Sequence, residues 1–149
     1  MLVENFKKKV ALIGGAGFIG HNLALRLKLL GAKVKVLDSL RKNNLYSVKN
    51  NENNLPYPKL SLKILNQRFS LLKKDKIKLI EADARNSKSL SNEINDFKPQ
   101  VVIHLAAISH ANRSNVDPHS TFDHSLRTLE NSLDNVKNNV EQFIFLSSS

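Results

Sequence analysis

A short apolar run, Val10-Ala11-Leu12-Ile13, leads into the stretch Gly14-Gly15-Ala16-Gly17-Phe18-Ile19-Gly20, and helical spacing begins at once. Strand, glycine turn, helix: that order leaves few folds open. Glycines 14, 17 and 20 fit G-x-x-G-x-x-G, while 15, 17 and 20 fit G-x-G-x-x-G. One such position must take backbone angles that a Cβ would block. Another must let a diphosphate reach the main chain, and the last must let the helix press on its strand. The helix start then offers unpaired N–H groups and its positive dipole end to an anion. Any tight turn can use clustered glycines, so the surrounding pattern decides.

That pattern agrees. Residues 32–37 read as a second strand ending at Asp38, 18 residues past Gly20. The motif expects a ribose-binding carboxylate after ~20 residues. Ile19, Leu23, Leu27 and Leu30 mark the first helix, with Gly31 as its stop. Residues 39–56, rich in Asn and poor in apolar side chains, predict a long loop. Leu60, Ile64, Leu65, Phe69 and Leu72 predict a helix from Pro58, and residues 77–82 a third strand ending at Asp83. Leu90, Ile94 and Phe97 mark a short helix closed by Pro99, and residues 101–106 a strand buried on both faces. Asp117-Pro118 opens another helix with cap and first-turn proline in their preferred order. Phe122, Leu126, Leu129, Leu133 and Val136 predict its face toward the sheet, and residues 142–146 a fifth strand. The class expected is α/β, a doubly wound parallel sheet of five strands in the order 3-2-1-4-5, with residues 1–149 as one domain.

Composition narrows the function. There is no cysteine, hence no disulfide framework or thiolate metal site, which suits a cytoplasmic protein. No apolar run approaches the ~20 residues of a membrane helix, so no membrane role is expected. Lys7-Lys8-Lys9 before an apolar stretch imitates a secretion signal, but glycine interrupts the stretch and no cleavage site comes after it. The net charge of +10 is uneven: residues 1–80 hold 17 Lys/Arg against 4 Asp/Glu, residues 81–149 hold 6 against 9. The lysines are scattered and aromatics few, so solvated surface charge is the reading, and no nucleic-acid partner is expected. His110, His119 and His124 lie near Asp117 and Asp123 without metal-ligand spacing, and no metal is expected. His104 falls inside an apolar strand and reads as a satisfied core histidine.

With these residues in place, the chain resembles the extended short-chain dehydrogenase/reductases, particularly the NAD-dependent sugar-nucleotide epimerases and dehydratases. The resemblance rests on Gly14 through Gly20, Asp38, Glu81-Ala82-Asp83-Ala84-Arg85, Val102-Ile103-His104-Leu105-Ala106-Ala107, and residues 143–149. It implies a Rossmann-type domain whose Gly14, Gly17, Phe18 and Ile19 line the cofactor diphosphate while Gly20 is the packing glycine. It further implies that Asp38 holds the adenosine ribose with Ser39 beside it, that Asp83 accepts from the adenine amino group, and that Ala84 gives a backbone contact. Leu105, Ala106 and Ala107 would run along the cofactor toward the nicotinamide, and Ser109 would sit near its ribose. Ser148 would be the catalytic hydroxyl on the substrate oxygen. A carboxylate at Asp38 repels a 2′-phosphate, so NAD is expected over NADP, with Arg41 and Lys42 arguing the other way.

The chain also departs from the family pattern. Ile13 stands where a Thr usually precedes the glycines, and Ser125 where the family has an Asn in the helix after the fourth strand. The family's Tyr-x-x-x-Lys pair is missing: Asn50 stands four residues after Tyr46, and Ser61 four after Tyr57. The expectation is therefore the NAD-binding part of a longer isomerase or lyase, truncated after the fifth strand, inactive alone and lacking a C-terminal substrate domain. The parent would act on a nucleotide sugar. Relatives pair as homodimers through the helix here at 121–135, whose apolar face could equally serve the core. The alternative is a non-catalytic NAD(P)-binding sensor or scaffold.

Overall fold

Five short runs rich in apolar residues form one sheet: β1 (Lys9–Ile13), β2 (Lys33–Asp38), β3 (Lys78–Glu81), β4 (Val101–His104) and β5 (Gln142–Phe145). The computed structural model describes residues 6–41, 44–50, 55–107, 117–137 and 140–147. All pairings are parallel and the order is β3-β2-β1-β4-β5, as the sequence predicts. Ile13, the last residue of β1, stands between Leu37 and His104.

Parallel strands need crossovers, supplied here by α1 (Phe18–Leu29), α2 (Leu45–Lys49), α3 (Pro58–Lys74), α4 (Ser87–Phe97), α5 (Pro118–Phe122) and α6 (Thr128–Val136). A π-turn, Asp123–Arg127, joins α5 to α6. Alternation in β1 splits the core. Val10 and Leu12 face one cluster with Val34, Val36 and Leu72, whereas Ala11 and Ile13 face another with Leu37, Leu90, Ile94 and Val102. Gly31, at φ 98°, ends α1: its N–H donates to the Lys28 carbonyl and that of Ala32 to Leu27, both at 3.0 Å.

Two expectations are corrected. The loop predicted over 39–56 contains α2, nucleated by a capping box: the Asn44 side chain caps Leu45, and the Asn44 N–H donates to Ser47 Oγ at 3.0 Å. The helix predicted from Pro58 is present as α3, in which Leu65 and Leu72 are buried and Leu60 and Ile64 exposed. On a 3.6-residue helix those two fall roughly 100° or more round from the Leu65, Phe69, Leu72 stripe. The face predicted for the last helix is also displaced. Val136 is buried as expected, but Phe122, Leu126 and Leu133 lie exposed, while Thr128 and Ser132 face inward. The π-turn interrupts the 3.6-residue spacing between Phe122 and Thr128, so a single apolar stripe does not stay on one face across it.

Candidate functional site

The chain runs outward from β1 to β2 and β3, then returns to the other side of β1 for β4 and β5. In such a sheet ligands bind outside the carboxyl ends where the order reverses, here above β1 and β4. The glycine turn, Asp38, and residues 105–107 all lie at that edge, at or just past strand ends.

Gly14 has φ +76°, and a Cβ on it would lie 2.6 Å from the Ala106 nitrogen. Its own N–H donates to the Leu37 carbonyl at 2.7 Å, while the Leu105 N–H donates to Ile13 at 2.7 Å. Gly14 therefore locks the turn against the β4 loop, and its amide is not available to an anion. A Cβ on Gly20 would meet Gly15 Cα at 2.5 Å, so this glycine pair lets α1 pack on its own turn. The family resemblance gives Gly15 no role; its place in the alternative G-x-G-x-x-G spacing is the signal for it. A Cβ on Gly17 would meet nothing closer than 3.8 Å, so the fold does not demand glycine there.

Gly17 is the N-cap of α1 and makes no side-chain cap; the first turn has no acid. Among the described residues, the amides of Gly17, Phe18, Ile19 and Gly20 meet no acceptor; the first backbone bond back to Gly17 comes from His21. Phe18 and Ile19 are exposed beside them. Four unpaired donors at the positive end of a 12-residue helix form an anion cradle.

Asp38 ends β2, with Ser39 half-buried after it. Its Oδ2 accepts from the Ala16 N–H at 2.9 Å and its Oδ1 from Leu40 at 2.8 Å. Burial pushes this carboxyl above its usual range, opposed by the Leu40 and Ala16 amide bonds. Asp83, after β3, is gripped by Arg85: Nη2 donates at 2.7 Å, and Nε and the backbone N–H at 3.0 Å. Those Arg85 bonds hold Asp83 below the carboxylate range. Arg85 Nη1 reaches Asp123 Oδ2 at 3.1 Å, and Asn131 Nδ2 donates at 2.9 Å to the carbonyls of Ala84 and Arg85. The loop after β3 is thus clamped to the π-turn and α6. Arg85 and Asn131 escaped the sequence reading because no spacing links 85 to 123 or 131.

Leu105 and Ala106 are half-buried and Ala107 is exposed at the end of β4. His104 is fully buried: Nε2 faces the Ala106 carbonyl and Nδ1 the Ser132 hydroxyl, each at 3.0 Å. Burial lowers its pKa to about 4, against the Ala106 hydrogen bond, so at neutral pH it is an uncharged tie. Ser109 and Ser148 lie outside the described residues, as does His110. Among the described residues no group of His, Asp and Glu could hold a metal ion, and no helix is long and apolar enough to cross a membrane.

The family model described as "NAD dependent epimerase/dehydratase family" matches residues 10–149. The chain is 31% identical over 153 aligned residues to dTDP-D-glucose 4,6-dehydratase of Dictyostelium discoideum, covering 96% of this chain and 29% of that protein. It is 28% identical over 125 residues to a probable UDP-arabinose 4-epimerase of Arabidopsis thaliana, covering 81% of this chain and 26% of that one. In fold it is similar to a UDP-glucose-4-epimerase from Stenotrophomonas maltophila, crystallised with bound NAD and formylated UDP-arabinopyranose. The TM-score there is 0.72 at 21% identity, over 95% of this chain and 37% of that one. The chain thus spans between about a quarter and two-fifths of these proteins.

Proposed function

Because this chain belongs to the NAD-dependent epimerase/dehydratase family, we propose that it is the dinucleotide-binding part of a sugar-nucleotide epimerase or dehydratase. The observation that carries this is the uncapped start of α1, with four amides free at the reversal point of the sheet. A diphosphate fits there, because Gly17 leaves its approach open and the first turn of α1 carries no acid. NAD bound in that cradle would supply the hydride acceptor and donor for transient oxidation of a sugar carbon.

The chain's own residues do the holding. Gly17, Phe18, Ile19 and Gly20 give amides to the diphosphate, and Gly14 fixes the turn that aims them. Each Asp38 oxygen keeps a lone pair beyond its backbone bond, enough to accept from ribose hydroxyls. Its charge disfavours a 2′-phosphate, and NAD is the cofactor of this reading rather than NADP. Ser39, Asp83 and Ala84 border the adenosine end; Leu105, Ala106, Ala107 and Ser109 border the nicotinamide end. Ser148 is the hydroxyl for the substrate oxygen, and a nucleotide sugar is the substrate of the intact enzyme. Proton transfer needs a base, and in this reading the Tyr-x-x-x-Lys pair that would supply it does not occur in these 149 residues.

Calorimetric titration of the chain with NAD, NADP and ADP-ribose tests the reading. Saturable heat with NAD and ADP-ribose, weaker with NADP, is expected. No heat with any of them would remove it.

A further inference from the structure

We infer that Arg68, on α3, is a further phosphate-binding residue, closing on the dinucleotide diphosphate from the adenosine side. The inference rests on the function proposed above and adds a side chain to a site otherwise built from main-chain amides.

The guanidinium of Arg68 lies 5.6 Å from the centroid of the Phe18 ring. Phe18 is the first residue of α1, and its own N–H is one of the four free donors. The stacked ring sets the guanidinium at the rim of that cradle. Arg68 arrives from α3, which packs on α1 and joins β2 to β3. That is the flank carrying Asp38, hence the adenosine flank.

Among the described residues, no counter-ion pairs with Arg68. Arg85, Arg127, Lys8, Lys35 and Lys137 each pair with a carboxylate. Arg68 is half-buried yet, among the described residues, donates to no acceptor and pairs with no acid. No Asp or Glu occurs anywhere in α3. Burial alone lowers its pKa, with no partner opposing. A partly desolvated guanidinium whose N–H groups meet no protein acceptor among the described residues can offer them to a phosphate. Its planar fork matches a phosphate face, and the helix dipole beside it favours the same charge.

The test compares the chain with Arg68→Met, which keeps the stem, and Arg68→Lys, which keeps the charge without the fork. NAD, NADP, ADP-ribose and adenosine are titrated by ligand-observed NMR, with circular dichroism melts as the folding control. Arg68→Met is expected to weaken NAD and ADP-ribose by about tenfold and adenosine hardly at all. Arg68→Lys recovers part of the loss, and NAD binding to the Met variant depends less on salt than that of the parent chain. Should the Met variant fail to fold, Arg68→Lys carries the test alone, with about threefold weaker binding to NAD and ADP-ribose and none lost for adenosine. Unchanged NAD affinity, a loss confined to NADP, or an equal loss for adenosine would overturn the assignment while leaving the dinucleotide site standing. An unsubstituted chain that bound no NAD would instead overturn the function itself, and this inference with it.

Discussion

The Asp38 carboxylate accepts the Ala16 amide hydrogen across 2.9 Å, so the acid at the end of β2 also anchors the glycine turn after β1. Its second oxygen holds Leu40, a residue at φ 56°. One side chain therefore shapes the cradle and stands where ribose hydroxyls would reach. Asp38→Ala should weaken NAD by more than tenfold and lower the melting temperature, since both backbone donors lose their acceptor. Asp38→Asn keeps one acceptor and should weaken NAD with a smaller thermal loss. Burial raises the carboxyl pKa in the folded chain, so the fold holds this proton more tightly than the unfolded state does. Stability from Asp38 therefore declines as pH rises from the ordinary Asp range through its raised value. The stability gap between the unsubstituted chain and Asp38→Asn should narrow over that rise; denaturant titrations at pH 3 and 6 read it directly, and a widening gap would contradict the argument.

The glycines separate packing from binding. A Cβ at Gly20 collides with Gly15 backbone at 2.5 Å, so Gly20→Ala must push α1 off its turn. Overpacking of this kind costs about 1–3 kcal/mol or more. At Gly17 the nearest atom is 3.8 Å away and φ is −72°, so Gly17→Ala should leave melting nearly unchanged. A methyl there nevertheless stands where the diphosphate must approach, and NAD binding should drop at least tenfold. Equal NAD affinity in Gly17→Ala would place the ligand elsewhere.

The sheet order and the glycine turn were legible because parallel strands bury both faces and a phosphate turn needs glycine at fixed offsets. The inner face of α6 was not. Periodicity pointed to Leu133 as well as Val136, but the buried stripe of α6 carries the polar Thr128 and Ser132 toward His104, a pairing that apolar spacing does not reveal. Nor was α2 legible, because its stability comes from one capping box rather than an apolar repeat. The contact of Arg68 with Phe18 and that of Arg85 with Asp123 were invisible for a simpler reason: the partners lie 50 and 38 residues away.

Arg85 bridges Asp83 and Asp123 and so ties the loop after β3 to the π-turn. Arg85→Met should loosen that loop and lower the melting temperature by a few degrees at pH 7. Arg85 bonding holds Asp83 below the ordinary carboxylate range; at Asp123, Arg127 acts first and Arg85 adds to it. With folded pKa values depressed, their contribution is present above the ordinary Asp range near 4 and vanishes as pH falls through the lower, folded values. The difference between Arg85→Met and the unsubstituted chain should therefore shrink in strong acid. A difference that stayed constant from pH 7 to pH 2 would mean that the clamp acts through packing alone.

His104 gives the chain a second acid-sensitive point. The ring is fully buried in β4, and its nitrogens face the Ala106 carbonyl and the Ser132 hydroxyl. Ala106 in turn backs against Gly14, so this histidine fixes the peptide that abuts the glycine turn. Burial lowers its pKa from 6.5 to about 4. The unfolded chain therefore binds this proton first, and stability falls as pH drops from about 6.5 toward 4. Integrated over that window, the loss is roughly 3 kcal/mol. His104→Gln removes the titration while keeping a polar side chain, and should be less stable by about 1–3 kcal/mol at pH 7. Its stability should then decline less between pH 6.5 and 4.5 than that of the unsubstituted chain. Parallel pH profiles for the two chains would show that the histidine is not the group that titrates.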